Sequence, residues 1–193
     1  MWQDFLDWIV PLDADSATNA NFGTAKVVNG QTFTADTAEY RKAVFANEAA
    51  DHLIMDTILY DQIFNLVFSC VDNNVKNVFI AYDSTSGKWH LCFAYDRDTA
   101  MGNDNEGGLT LKYGYMDTDA IGSRNVFNGA DCVLRCMMRY CFDAELKAMY
   151  LDRESVGAWN LDSFADLCDQ YQDYACESLW IEDAWRKDID TFT

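Results

Sequence analysis

Proline is almost absent from this sequence: Pro11 is the only one, which excludes a proline-rich stalk or linker. Basic side chains are scarce too, 14 against 32 acidic ones, for a formal net charge of -18. A surface of that sign repels phosphate backbones and anionic lipid, which argues against direct contact with nucleic acid or membrane. No N-terminal stretch has the basic, apolar and small-residue order of a secretory signal. No window approaches the ~18 uncharged apolar residues of a membrane span. Folding in a cytoplasm is therefore expected. The seven cysteines form no CxxC pair, so neither a zinc knuckle nor a thioredoxin-type motif is written here. Cys132, Cys136 and Cys141 fall in a helical pattern and read as buried free thiols. Only two histidines, His52 and His90, are present. They lie on different expected elements and give little basis for a nucleophile–histidine–acid arrangement.

What is abundant is apolar and aromatic material, 50% and 15% of the residues, enough for a folded domain with a sizeable core. MWQDFLDWIV places Trp2, Phe5, Leu6 and Ile9 at helical spacing, and Pro11 ends the run. Between it and residue 35 the clearest signal is Asn29-Gly30, a two-residue turn that predicts a small hairpin in an extended arm. Asp36 or Thr37 is positioned to cap a helix that ends near Ala50. Asp51 is positioned to cap the next, apolar all round from Leu53 to Phe68 and therefore expected at the centre of the core. VFIAY, the turn DSTSG and KWHLCFAY predict a hairpin over about 77–95, and LTLKYGYM a strand over about 109–116. Helices are expected to resume at about residue 129, where ADCVLRCMMRYCFDAELKAMY turns Val133, Leu134, Met137, Tyr140, Cys141 and Met149 toward a core. A further helix is expected from Asp162 to about Cys176, with a last one beyond it. The class is α+β, mainly helical with a small antiparallel sheet. An N-terminal helix and arm over 1–35 precedes a single domain over 36–193.

The segment around the hairpin carries the most specific pattern. Asp72 and Asn77 stand in an Asp-x-x-x-x-Asn spacing, and the hairpin returns Asp96 and Asp98 toward the same place. Protein kinases use that spacing in the catalytic loop, where the aspartate positions the acceptor hydroxyl and the asparagine holds a metal ion. The same residues have a structural reading: Asp72 as an Asx turn, Asn77 at a strand entry, and Asp98 paired with Arg97, Lys76 or Arg124. An EF-hand starting at Asp96 is excluded, because the glycine at position six and the glutamate at position twelve are missing.

CVDNNVKN followed by GKWHLCFAYDRDTAMG resembles the core of the CotH fold, an atypical protein kinase of spore coats. A closer resemblance is to large tail or neck proteins of bacteriophages that carry a CotH-like segment. DNEGG at 104–108 and NVFNGADCVLR at 125–135 extend it, so that it runs from about residue 40 to 189. It implies a kinase C-lobe-like fold, with Asp72 as the catalytic aspartate if the protein is active. Asn77 and Asp96 or Asp98 would then be the metal-holding residues, with Mg2+ as the cation. A kinase also needs a glycine-rich loop and a Lys–Glu pair in an N-terminal lobe. The first 50 residues hold only Lys26 and Lys42 and no such loop.

The reading that follows is a phage-derived structural or protein-binding module on a degenerate CotH-like scaffold, without catalysis and without a required cofactor. Its partners would be other protein subunits, of the virion or of the host, rather than nucleic acid or membrane. It would act in the host cytoplasm or as part of the virion. One alternative is a small acidic inhibitor that imitates nucleic acid in the basic groove of a host defence protein. Another is a Mg2+-dependent phosphotransferase. Trp180, Glu182, Asp183 and Trp185 near the C-terminus are the candidate interface. Packing of Trp159, Trp180 and Trp185 under helices, and a solvated acidic face, are the structural readings of that region.

Overall fold

The computed structural model describes residues 1–14, 16–68, 70, 73, 77–91, 95 and 133–174. By contacts the chain divides into two compact units, Met1–Met149 and Tyr150–Thr193.

In the first unit, α1 (Trp2–Ile9) buries Phe5 and Ile9 as its spacing predicts, and Pro11 sits in a 3-10 turn, Val10–Leu12. β1 (Lys26–Val28) and β2 (Gln31–Phe33) pair antiparallel around Asn29-Gly30. Both turn residues have positive φ, 47° and 79°, the backbone of a type I′ turn whose twist matches the strands. The arm before this hairpin is pinned to α2 (Ala38–His52) by one buried side chain. Arg41 donates through Nε and Nη2 to the Asp36 carboxylate, at 2.8 and 2.9 Å. It also donates to the backbone carbonyls of Asp13, Ser16 and Ala17. A planar guanidinium with five N–H donors suits a bidentate carboxylate and several carbonyls at once.

Thr37 caps α2, its hydroxyl oxygen accepting from the Tyr40 amide at 3.2 Å. Asp51 does not cap the following helix, contrary to the sequence expectation: it lies inside the last turn of α2. α2 ends because Leu53 turns extended and bridges to Trp89, while the Ile54 amide donates to the Trp89 carbonyl at 2.8 Å. The next helix, α3 (Met55–Val67), therefore starts later. It is also less apolar inside than expected. Its buried face carries Gln62 and Asn65 beside Ile58, Leu59 and Ile63, while Tyr60 is exposed.

β3 (Ile80–Asp83) and β4 (Lys88–Leu91) form the second hairpin, with Tyr82 opposite Trp89. The Asp83 carboxylate shapes its turn, accepting from the Thr85 and Ser86 amides and the Ser86 hydroxyl. These hydrogen bonds, the hydroxyl's first, hold its pKa below the usual carboxylate value. Lys88 reaches across to donate to the Ala50 carbonyl at 2.6 Å, meeting one of the carbonyls that a helix end leaves open.

Helices resume in the expected stretch as α4 (Val133–Cys141) and α5 (Asp143–Ser155), which meet at Phe142. Four consecutive residues of α4, Arg135 to Met138, are buried. Only a helix enclosed on more than one side can do that, so α4 takes the central place expected of α3. Of its expected inward residues Met137 is fully buried, but Tyr140 is exposed. The core gathers Phe45, Ala49, Leu53, Ile58, Cys70, Met137 and Met138. The mainly helical α+β class stands, with two small antiparallel hairpins among the described residues. The strand expected over 109–116 lies outside them.

In the second unit, α5 ends at Gly157, whose φ of 75° closes a Schellman cap. The Gly157 amide donates to the Glu154 carbonyl, and the Ala158 amide to the Arg153 carbonyl. Trp159 stacks on Tyr150 and donates its indole N–H to the Tyr150 carbonyl. The Asn160 side chain then accepts from the Asp162 amide at 2.7 Å and opens α6 (Leu161–Tyr174).

Candidate functional site

The loop after α3 and the segment after β4 do come together, and one side chain joins them. Asn73 is 1% exposed. Its amide nitrogen donates to the Asn77 carbonyl at 3.2 Å and to the Tyr95 carbonyl at 3.0 Å. Those two bonds decide the orientation of the amide, because a flipped group would set oxygen against two carbonyl oxygens. Its own oxygen is left buried without a hydrogen-bond partner. The rings of Phe79 and Tyr95 meet edge to face at 4.9 Å.

Asn73 is in turn held from α4. Arg135, 4% exposed, donates through Nε to the Asn73 carbonyl at 2.9 Å, through Nη1 to Gln62 Oε1 at 3.0 Å, and through Nη2 to Asp61 Oδ2 at 2.6 Å. Asp61 Oδ2 also accepts from the Asn65 amide at 2.8 Å. The backbone closes the same corner: the Cys70 amide donates to the Asn65 carbonyl and the Asn73 amide to the Cys70 carbonyl. The polar residues of the buried face of α3 therefore serve one purpose, to hold a guanidinium that anchors the loop. An ion pair taken this far from water persists only when its remaining donors and acceptors are also met, and here they are met by Gln62, Asn65 and the Asn73 backbone.

Of the expected site residues, Asn77 is described and Asp72, Asp96 and Asp98 lie outside the described residues. Asn77 has a φ of 60°, a left-handed backbone that asparagine tolerates better than most residues. Its carbonyl serves the Asn73 tie. Among the described residues there is no group of three or more His, Cys, Asp and Glu side chains placed to hold a metal ion. The expected interface residues Trp180, Glu182, Asp183 and Trp185 lie outside the described residues as well. The two histidines have different surroundings. His52 stacks on Trp8 with ring centres 4.1 Å apart, and the His90 ring nitrogen Nδ1 faces the Leu91 carbonyl.

Sequence reasoning passed over the two residues that organise this corner. Asn73, between Asp72 and Asn77, was given no role. Arg135 had a signal: it is a lone cation inside the apolar run VLRCMM, which on a buried helix demands an acidic partner.

Among the described residues no helix is long and apolar enough to cross a membrane. In comparisons with family models, with curated proteins and with solved structures, nothing matches this chain.

Proposed function

We propose that this chain is a protein-binding module, phage-derived and structural in origin, built on a degenerate CotH-like scaffold and working without catalysis. The observation that carries this reading is the way the kinase-like loop spends its polar groups. The Asn73 side chain and backbone, and the Asn77 carbonyl, are committed to an internal tie that reaches through Arg135 into the helical core. That is the work of a scaffold, with loop geometry maintained from behind. The net charge of -18 adds to it, since a nucleotide's phosphates would approach against repulsion whereas a basic protein surface would be drawn in.

The deciding experiment is a thermal melt with Mg2+ and ATP at millimolar concentration. A ligand that binds only the native state must raise the melting point, by RT ln(1 + [L]/Kd) in free energy. No shift is expected. A clear upward shift that needs both Mg2+ and ATP would overturn the non-catalytic reading in favour of a phosphotransferase using Asp72, Asn77 and Asp96 or Asp98.

The acidic charge favours one further reading, an inhibitor that occupies the nucleic-acid groove of a host defence protein. It predicts capture of a nucleic-acid-binding host protein that weakens steeply as salt rises. Capture indifferent to salt would remove it.

A further inference from the structure

Two lysines of this protein lie over partly exposed aromatic rings. Lys42 sits 4.2 Å from the ring centre of Tyr140, and Lys26 sits 4.9 Å from Phe22 and 5.5 Å from Tyr40. Tyr60, Tyr95, Tyr150 and Trp2 are exposed with no described lysine over them, and Trp2 is the most exposed of them and the one indole. It stacks on Phe5 at 5.6 Å and meets the edge of Trp89 at 5.5 Å, and Trp89 in turn meets Tyr82 at 5.2 Å. The row is thus anchored in the hairpin and ends at Trp2, which stays 51% exposed. Among the described residues no cation lies over its ring, and its indole N–H has no acceptor. Indole is the ring that attracts a cation most strongly.

No described cation is free to cover it. The other described lysines and arginines are engaged within the chain: Arg41 with Asp36, Arg135 with Asp61, Lys147 with Asp143, Lys88 with the Ala50 carbonyl, and Arg139 and Arg153 with partners of their own. The elements that carry these rings also carry acids: exposed Asp4, paired with the N-terminal ammonium at 2.6 Å, exposed Asp7, and partly exposed Asp83 at the hairpin turn.

We propose that the exposed indole of Trp2, at the end of the edge-to-face row Tyr82–Trp89–Trp2, is a docking point for an arginine presented by a basic protein partner. The guanidinium would lie on the indole face while the surrounding acidic field holds the rest of the basic segment. Arginine fits better than lysine, because its planar and weakly hydrated head stacks on a ring. This rests on the protein-binding reading above and adds to it a place and a chemistry.

The test uses a fluorescently labelled hexa-arginine peptide as the probe, with anisotropy titrations against the intact protein and against Trp2→Ala. The substitution leaves the net charge untouched, so unspecific attraction is the same in both. A loss of affinity of about 5-fold is expected for Trp2→Ala, the size of a cation–π contact near a surface. In the unaltered protein the Trp2 indole N–H resonance, assigned by its disappearance in Trp2→Phe, should move on titration; this readout stands even if Trp2→Ala folds poorly. Equal, salt-sensitive affinities with an unmoved indole resonance would refute the Trp2 site and leave the protein-binding reading standing. No peptide binding by either protein would count against both. Binding of phosphatidylcholine vesicles through Trp2, with no response to the peptide, would overturn the proposal in favour of a lipid surface.

Discussion

Arg135 is the residue whose loss should damage this protein most for its size. Replacing it with Met keeps an unbranched apolar stem but removes the fork that serves Asp61, Gln62 and the Asn73 carbonyl. Breaking a buried ion pair by deleting one partner costs about 3–5 kcal/mol, because the other charge stays behind unpaired. Asp61 keeps 13% of its side-chain exposure and a bond from Asn65, so its own share lies toward the lower end. The orphaned Gln62 oxygen and Asn73 carbonyl add to it, since each buried acceptor without a donor costs about 1–3 kcal/mol and such costs overlap within one network. A total of about 3 kcal/mol or more follows. At about 2–4 °C per kcal/mol for a chain of this size, the melting point should fall by about 6–12 °C.

Arg135→Lys should fall between Met and the native residue, since an ammonium can keep Asp61 but cannot also reach the other two acceptors. Far-UV circular dichroism melts and urea titrations measure both variants. Hydrogen exchange at the Asn73 amide, bonded to the Cys70 carbonyl, reports the loop: protection there should drop further than at amides within α2. Exposed Arg153, 3.9 Å from Asp152, is the control, and Arg153→Ala should change stability by less than about 0.5 kcal/mol. If Arg135→Met also costs less than about 1 kcal/mol, or if Lys and Met behave alike, then the guanidinium is not the anchor of this corner.

Three further outcomes follow from local geometry. The Asp36 carboxyl is held below its usual pKa, first by the hydrogen bond from the Arg41 side chain. Its stabilisation is therefore present above the ordinary carboxylate value and is lost as pH falls through the lower folded value. Asp36→Asn should flatten the acid limb of the stability–pH curve, and Arg41→Ala should in addition expose residues 13–17 to limited proteolysis. Burial pushes the Cys141 thiol up to about 11, so at neutral pH it should react with iodoacetamide about 300-fold more slowly than an ordinary thiol of pKa ≈ 8.5, and at the ordinary rate once unfolded. In the type I′ turn, space is open around Gly30, so Gly30→Ala should cost only the backbone term, about 1 kcal/mol in a urea melt. A loss well above that would mean the first hairpin makes contacts through Gly30 that its open surroundings do not suggest.

The parts of the fold legible in the sequence are those decided by neighbours along the chain. The stripe Trp2, Phe5 and Ile9, the Thr37 cap, the Asn29-Gly30 turn and the DSTSG hairpin each rest on interactions spanning a few residues, and each stands where its pattern placed it. Expectations failed where a distant partner outbid a local one. Asp51 is a good cap by type, yet Leu53 and Ile54 are drawn to Trp89, and a backbone bridge to the hairpin sets where α2 stops. The spacing of Asp72, Asn77, Asp96 and Asp98 showed that two loops belong together. It gave no sign of the tie between them, because Asn73 finds its acceptors at Asn77 and Tyr95 and its support at Arg135, 62 residues away.

By itself, then, the sequence determined the α+β composition, the two hairpins, the amphipathic α1 and an acidic surface, since each follows from local periodicity, turn chemistry or a count of charges. Tertiary structure alone decided which helix lies at the centre and which polar residues are buried. A charged side chain such as Arg135 can leave water only where Asp61, Gln62 and Asn73 are brought around it at once, and no spacing within a helix encodes that meeting.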